Sequence, residues 1–238
     1  MRKNKIETVI LAAGKGRRLK KSTPKPFVKL NGLPLLAYSL KTFQAHPKVT
    51  SIILVTGKGS IRKAKEIVRK MGFTKVKAVV SGGKKRIDSV IRGLKEVSKQ
   101  AKYVLIHDSA RPFAGKRIID GVLKALSKYK MAIPGNTFSD TVKETDFSGI
   151  VKKTLVRENL YRIQTPQGIH SLLIPDIISL SKKASSVYDE AVLLEKEEKV
   201  KVVKSDSANI KVTTPEDLAF AEFITQKQSS KNRLQWKK

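Results

Sequence analysis

The sequence has 238 residues, 40% of them hydrophobic, which is enough to bury the core of one large domain and excludes global disorder. Fifty Lys and Arg against twenty Asp and Glu leave a formal charge of +30, which favours anionic partners without naming one. With no cysteine in the chain, disulfide scaffolds, thiolate zinc sites, iron–sulfur clusters and cysteine nucleophiles are excluded.

The chain opens with Arg2, Lys3 and Lys5, but the apolar stretch behind them, 9–13, runs straight into Gly14 and is too short for a secretory signal. Nowhere do about 18 apolar residues follow one another, so no membrane-spanning helix is expected and the chain reads as soluble and cytoplasmic.

Short runs rich in β-branched residues alternate with longer amphipathic segments, the pattern of β-α units around a mostly parallel sheet. In chain order the spacing predicts a strand over 8–12, a helix over 35–44, a strand over 51–56, a helix over 61–71 and a strand over 76–80. A helix over 86–98, a strand over 103–107, a helix over 116–128 and a strand over 131–133 follow. Helices over 172–182 and 189–197, strands over 200–203 and 210–213, and a helix over 215–225 complete the series. The last helix is well signalled: Thr214 can cap it, Pro215 takes the first helical position, and Glu216 and Asp217 suit the positive dipole end. The expected fold is α/β, a Rossmann-like, mostly parallel sheet flanked by helices, in a single domain over 1–225.

Two segments depart from this alternation. Residues 138–156 are polar and β-leaning, with Gly149 as a turn, and predict either an arm projecting from the domain or an irregular surface hairpin. The tail, 226–238, carries five basic residues and no acidic ones; it has no helical stripe and is expected to be a mobile extension containing Trp236.

The first strand ends in Ala12-Ala13-Gly14-Lys15-Gly16-Arg17-Arg18, with Lys25 seven residues further on behind Pro24. Glycines at the C-terminal end of a strand let the backbone turn tightly and bring N–H groups against a phosphate chain, whose charge nearby Arg and Lys neutralise. Leu19 stands where a dinucleotide fingerprint needs its third glycine, and no Gly-Lys-Ser/Thr follows four spacers as in a Walker loop, so those two phosphate motifs fall away. The runs Lys20-Lys21 and Lys84-Lys85 read as solvated surface charge.

A second motif, Val104-Leu105-Ile106-His107-Asp108-Ser109-Ala110-Arg111-Pro112, ends an apolar strand, and open α/β sheets collect ligands at the carboxyl ends of their strands. Asp108 is placed to hold Mg²⁺, which takes one or two carboxylates plus substrate phosphates, and Arg111 can meet a phosphate as a planar fork. A structural Asp–Arg pair capping the strand is the alternative. His107 reads as structural, because cysteine is absent and the other histidines, His46 and His170, lie far off in sequence. Thr165-Pro166 and Gln167 read either as a turn with polar caps or as part of the site.

The glycine loop followed by Pro24-Lys25 resembles the signature of sugar-phosphate nucleotidylyltransferases. Gly82-Gly83-Lys84-Lys85-Arg86 leading into Ser89, Asp140-Thr141-Val142-Lys143 in the arm, Arg157 before Gln164-Thr165-Pro166-Gln167, and Asn209-Ile210-Lys211-Val212-Thr213 extend the likeness. In that order the set resembles the 2-C-methyl-D-erythritol 4-phosphate cytidylyltransferases of the non-mevalonate isoprenoid route. The resemblance implies that Arg18, Lys25 and Lys211 surround the CTP phosphates and the reacting phosphorus. It implies that Ala12, Ala13, Gly14, Gly16, Gly83, Ser89 and Asp108 bind the nucleotide, with Asp108 on the metal, and that Gly83 and Ser89 read the cytosine. Arg111, Thr141, Arg157 and Thr165 are implied to hold the polyol phosphate, Thr141 and Arg157 from an arm that crosses to a second subunit of a homodimer.

The residue types suit that chemistry. The nucleophile would be a phosphate monoester with a second pKa of about 6, ionised at neutral pH without a general base. What remains is to bring two anions into line and neutralise charge at the phosphorus and the departing pyrophosphate, a task for Mg²⁺, Arg and Lys. On a strand over 210–213, Lys211 would share a face with Asn209 and Thr213, with Ile210 and Val212 on the core side, so the lysine is expected to face the cleft. Ser109 departs from the commoner Ala and is similar to the ribitol-5-phosphate cytidylyltransferases, while Ala12 to Gly14 and Asp189-Glu190-Ala191 followed by Glu195 favour methylerythritol phosphate as acceptor. A charge of +30 also meets the electrostatic criterion for nucleic acid, but aromatics are only 6% and no reader motif appears, so nonspecific binding at low salt is expected and specific binding is not.

Overall fold

The computed structural model describes residues 5–182 and 187–235. The chain runs β1 (Lys5–Ala12), β2 (Lys29–Leu30), β3 (Leu33–Pro34), α1 (Leu35–Ala45), β4 (Ser51–Thr56), α2 (Ile61–Lys70), β5 (Val76–Ser81), α3 (Arg86–Lys95), β6 (Ala101–Asp108), α4 (Lys116–Ala125) and β7 (Met131–Thr137). It continues through β8 (Val142–Thr145), β9 (Val151–Leu155), β10 (Tyr161–Ile163), β11 (Gln167–His170), α5 (Ile174–Ser181), α6 (Ala191–Leu194), β12 (Val200–Lys204) and α7 (Pro215–Gln235).

Parallel pairing places β1 between β4 and β6, with β5 outside β4. Beyond β6 the sheet changes direction: β11 pairs antiparallel with both β6 and β7, β10 continues antiparallel along β7, and β12 runs parallel along its other side. The central strands read as unbroken apolar runs because both of their faces are covered. Ile10, Leu54 and Leu105 face Leu40 and Phe43 of α1 and Val122 of α4, whereas Val9, Ile53 and Ile106 face Val90 and Leu94 of α3. A third cluster, Leu19, Val28, Leu30 and Leu35 with Leu218 and Ala221 of α7, seats the segment after the glycine loop against the last helix. Among the described residues no helix is long and apolar enough to cross a membrane.

The mostly parallel, helix-flanked sheet is as expected, and several details differ. The strand expected over 210–213 is absent: among the described residues the segment joins no ladder, and Val212 donates one bond to the Ala110 carbonyl. It crosses just past the end of β6, where no neighbouring strand remains to pair with it. The antiparallel β10 and β11 were not expected, being three and four residues long and partly polar. Helices α3, α4 and α6 end earlier than their apolar periodicity suggests, and a 3-10 turn over Ser171–Leu173 precedes α5. At the other end α7 runs on to Gln235, through most of the segment read as a tail, since 226–235 contain neither Gly nor Pro and several good helix formers. Trp236 lies outside the described residues.

Within 138–156, β8 and β9 form an antiparallel hairpin that, among the described residues, joins no other sheet. Its turn is closed by Asp146, whose Oδ1 accepts N–H bonds from Ser148 and Ile150, and it leaves Phe147, Ile150, Val151 and Val156 exposed.

Candidate active site

Three strand ends, those of β1, β5 and β6, open on one side of the sheet into a cleft of about 970 Å³. The loop after β1 folds back on Lys25. Gly16 has φ +69°, and a Cβ there would lie 2.4 Å from the Lys25 Cβ, so the chain passes that close only as glycine. Pro24 precedes the 3-10 turn Lys25–Phe27, and the buried Phe27 anchors the turn beneath the loop.

The second wall is the turn from β5 into α3. The N–H of Gly82 reaches the Thr56 carbonyl at 2.7 Å, that of Gly83 reaches Ser89 Oγ at 3.1 Å, and the Arg92 guanidinium donates to the Gly82 carbonyl. A Cβ at Gly82 would fall 2.5 Å from that of Ala13, so the two walls meet at this glycine. Lys15, Lys25, Lys58, Lys84, Lys85, Arg86, Arg92 and Lys211 line the cleft against the single carboxylate of Asp108 among its described lining residues, which suits it to a polyanion. Lys84 and Lys85, read from the sequence as solvated surface charge, are exposed but stand in the wall of the site because the turn from β5 into α3 forms its rim.

The third wall is the end of β6. Asp108 Oδ1 accepts from Arg86 Nε at 3.2 Å and Oδ2 from Lys211 Nζ at 2.7 Å. Burial by itself would raise the Asp108 carboxyl, but Arg86 and Lys211 outweigh it and hold the group below the ordinary carboxylate range. Arg86 is fixed in turn by Glu190, which is fully buried: Nη1 and Nη2 reach the two carboxylate oxygens at 2.6 and 3.3 Å. Burial, reinforced by the charge of Lys211, lowers the Lys25 ammonium to about 8.

Lys25, Lys211, Asp108, Ala13, Gly14, Gly83 and Ser89 therefore share one cleft. Ala12 is buried at the end of β1 and Gly16 lies behind Lys25, so both shape the loop from outside the lining; Arg18 is exposed and close enough to Lys25 to depress its charge. Arg111 does not bond the Asp108 carboxylate; its fork donates to the Asn209 and Ile163 carbonyls at 2.9 and 3.2 Å. Thr165 is buried, and its Oγ1 accepts the Asp108 N–H at 3.1 Å. Thr141 and Arg157 lie at the base of the arm, exposed, with Arg157 donating to the Ser139 carbonyl, and neither lines this chain's own cleft.

Sequence reading missed Arg86 and Glu190 as a clamp on Asp108, and the pair Gln164 and Asn209, which holds the segment carrying Lys211. Asn209 Nδ2 donates to Gln164 Oε1 and to the Thr165 carbonyl at 2.9 and 3.0 Å. The one available signal was Glu190, a carboxylate at the head of the apolar run 191–194, which burial would require to find a cation. Among the described residues no three His, Asp or Glu side chains gather as a metal site, so a divalent ion here would rely on Asp108 and on ligand oxygens.

A family model described as 2-C-methyl-D-erythritol 4-phosphate cytidylyltransferase matches residues 6–227. Proteins of that name from Clostridium botulinum (strain 657 / Type Ba4) and Dehalococcoides mccartyi are 40% and 41% identical to this chain, over 95% and 94% of it and 99% and 97% of their own lengths. The crystal structure of 4-diphosphocytidyl-2C-methyl-D-erythritol synthase from Anaerococcus prevotii superposes with a TM-score of 0.82 at 33% identity, covering 94% of this chain and 99% of the other. That of 2-C-methyl-D-erythritol 4-phosphate cytidylyltransferase from Thermus thermophilus gives 0.74 at 26% identity, covering 92% and 98%.

Proposed function

The chain belongs to the 2-C-methyl-D-erythritol 4-phosphate cytidylyltransferase family, and from that premise we propose how its cleft performs the reaction. The protein is a cytidylyltransferase: it transfers a cytidylyl group to 2-C-methyl-D-erythritol 4-phosphate, a step toward isoprenoid precursors. The family model and the two relatives above carry the methylerythritol name, so Ser109 does not move the acceptor to ribitol phosphate.

In our reading the triphosphate of CTP lies along the loop from Ala12 to Arg18, against its backbone N–H groups, while Gly83 and Ser89 meet the cytosine. Lys25, Arg18 and Lys211 carry the charge that the phosphates require. Arg111, with Thr141 and Arg157 from the arm of a second subunit, holds the polyol phosphate, while Thr165 supports that site from behind, its hydroxyl lying 3.0 Å from His107 Nδ1, and this makes the working form a homodimer; use of CTP accords with a cytoplasmic location.

The polyol phosphate is ionised at neutral pH, so the chain need only hold it in line with the α-phosphorus of CTP. As its oxygen bonds to that phosphorus, the bond to the bridging oxygen breaks and pyrophosphate leaves with the electron pair. Lys25 and Lys211, both lining the cleft, supply positive charge for the phosphorus and the leaving group as negative charge builds on them. Asp108 fits Mg²⁺, offering hard carboxylate oxygens in a cleft where substrate phosphates would complete the ligand set; the ion would add Lewis-acid neutralisation of the phosphates.

The observation that carries this reading is the convergence of Lys25, Lys211 and Asp108 with the glycine loop in one basic cleft. The experiment is pyrophosphate release from CTP and Mg²⁺ with methylerythritol 4-phosphate, with ribitol 5-phosphate and with no acceptor, at about 0.15 M salt to suppress nonspecific binding. Release with methylerythritol phosphate is expected; silence with it would overturn the reading.

A further inference from the structure

The transfer chemistry leaves one buried ring without a task. His107 precedes Asp108 on β6, is fully buried, and packs 5.0 Å from the ring of Phe43. Its Nε2 lies 3.1 Å from the Arg111 carbonyl, an atom that can only accept, and 3.3 Å from Ser39 Oγ, whose own hydrogen goes to the Ser109 carbonyl, so Nε2 carries the hydrogen. Nδ1 is then an acceptor, and the Thr165 hydroxyl, 3.0 Å away, donates to it. Fully buried, with a carbonyl and two hydroxyls as the only hydrogen-bond partners of its nitrogens among the described residues, the ring holds this neutral, one-donor and one-acceptor form.

Both bonds act on the end of β6. The ladder between β6 and β11 stops at Ile106 and Gln167, so the N–H of Asp108 has no strand on that side and takes Thr165 Oγ1 instead, at 3.1 Å. A hydroxyl rotates; with its hydrogen committed to His107, its lone pair is aimed at that N–H. On the other side the ring holds the Arg111 carbonyl. The Arg111 N–H closes a turn on the Asp108 carbonyl at 2.9 Å, and its guanidinium grips the Asn209 carbonyl, two residues before Lys211. One imidazole thus braces both the residue that carries the carboxylate and the residue that pins the lysine segment.

We propose that His107 is a positioning residue for the transfer, setting the Asp108 carboxylate against Lys211 through the Thr165 hydroxyl, while its bond to the Arg111 carbonyl fixes which ring nitrogen accepts. This role rests on Asp108 and Lys211 serving the nucleotide site. A core histidine with no such role would cost only stability when replaced.

Two isosteric substitutions separate the bonds. His107→Asn keeps an acceptor oxygen where Nδ1 stands and loses the Nε2 bond, whereas His107→Gln keeps an N–H where Nε2 stands and loses the acceptor for Thr165. Both variants lose ring packing on Phe43, so their thermal midpoints should fall together, and kinetics are measured well below either midpoint. We expect kcat to fall about 10- to 100-fold in His107→Gln and to stay within about threefold of wild type in His107→Asn, with KM for CTP nearly unchanged in both. Thr165→Val should lower kcat at least as far as His107→Gln, and adding His107→Gln to Thr165→Val should cost nothing more. If His107→Gln does not fold, His107→Leu, which also lacks an acceptor for the Thr165 hydroxyl, supplies the same test: it should lower kcat as His107→Gln would and add nothing to Thr165→Val. Unchanged kcat in both folded single variants, equal losses in both, or additive losses in the double variant would overturn the role. A wild-type chain silent with CTP and methylerythritol phosphate would instead overturn the active-site reading, and this role with it.

Discussion

Lys211 Nζ lies 2.7 Å from Asp108 Oδ2, across 103 residues of chain, while the other carboxylate oxygen sits 3.2 Å from Arg86 Nε. The carboxylate is therefore balanced from two sides before any phosphate arrives. The two cations are not equivalent: Arg86 is locked by a buried carboxylate, whereas the Lys211 side chain is 41% exposed on a flexible stem. Lys211 is the one able to turn toward a phosphate while Arg86 keeps Asp108 in place. Lys211→Ala should lower kcat by about 10²–10³ with little change in thermal midpoint, because it removes charge needed at the transition state and little packing. Wild-type turnover in the folded variant would remove Lys211 from the machinery.

Lys25 predicts the alkaline limb of the pH profile. Its ammonium, lowered to about 8 by burial and by Lys211, is charged below that pH and neutral above it. The charge is what the triphosphate needs, so kcat/KM for CTP, which reports the free enzyme, should fall as pH rises through about 8. Lys25→Arg keeps its charge to far higher pH and should move that limb upward, whatever it does to the absolute rate. A profile flat from 7 to 9.5 in wild type would contradict the assignment. Stability has the opposite sign. The unfolded lysine holds its proton up to its ordinary value of 10.5, so the contribution of Lys25 to stability should rise between about 8 and 10.5.

How much of this was legible follows from what a sequence records. Gly14, Gly16 and Lys25 stood out because a strand end, two glycines and basic residues within a dozen positions have a local physical meaning. Asp108 stood out because it ends an apolar run at the edge where such sheets bind ligands. The clamp of Arg86 by Glu190 did not, since 104 residues separate the partners and neither periodicity nor composition encodes that distance. Lys211 was placed toward the cleft for the wrong local reason: it does not alternate on a strand but rides on an unpaired segment held by Asn209 and the Ala110 carbonyl. Short polar strands such as β11 escape periodicity altogether, and their existence follows only from the gap between β6 and β7 that they fill.

Glu190→Ala should be costly even though Glu190 never meets substrate. Its carboxylate is fully buried against Arg86, and removing one member of such a pair leaves the other desolvated and underpaired, a loss of about 3 kcal/mol. Urea denaturation measures it directly. Arg86→Met combined with Glu190→Ala should recover part of the stability, because no lone charge remains, but should not recover activity, because Asp108 loses its clamp. Recovery of both would reduce the pair to a structural staple.

The arm can be tested without a structure of the assembly. Thr141 and Arg157 lie outside this chain's own cleft, and exposed Phe147, Ile150 and Val151 project on the same hairpin, as a segment that completes a partner's site requires. Arg157→Ala should chiefly raise KM for methylerythritol phosphate and leave that for CTP near wild type; a change confined to CTP would contradict the placement. If Arg157 serves the opposite subunit, co-refolding Arg157→Ala chains with Lys211→Ala chains gives mixed dimers in which one site carries both lesions and the other carries neither. Assayed at methylerythritol phosphate far below the KM of Arg157→Ala, where both parent variants are nearly inactive, the mixture should regain about a quarter of the wild-type activity, because random pairing makes half of the dimers mixed. Arg157 acting within its own chain would restore nothing, since each site in the mixture would still carry one lesion.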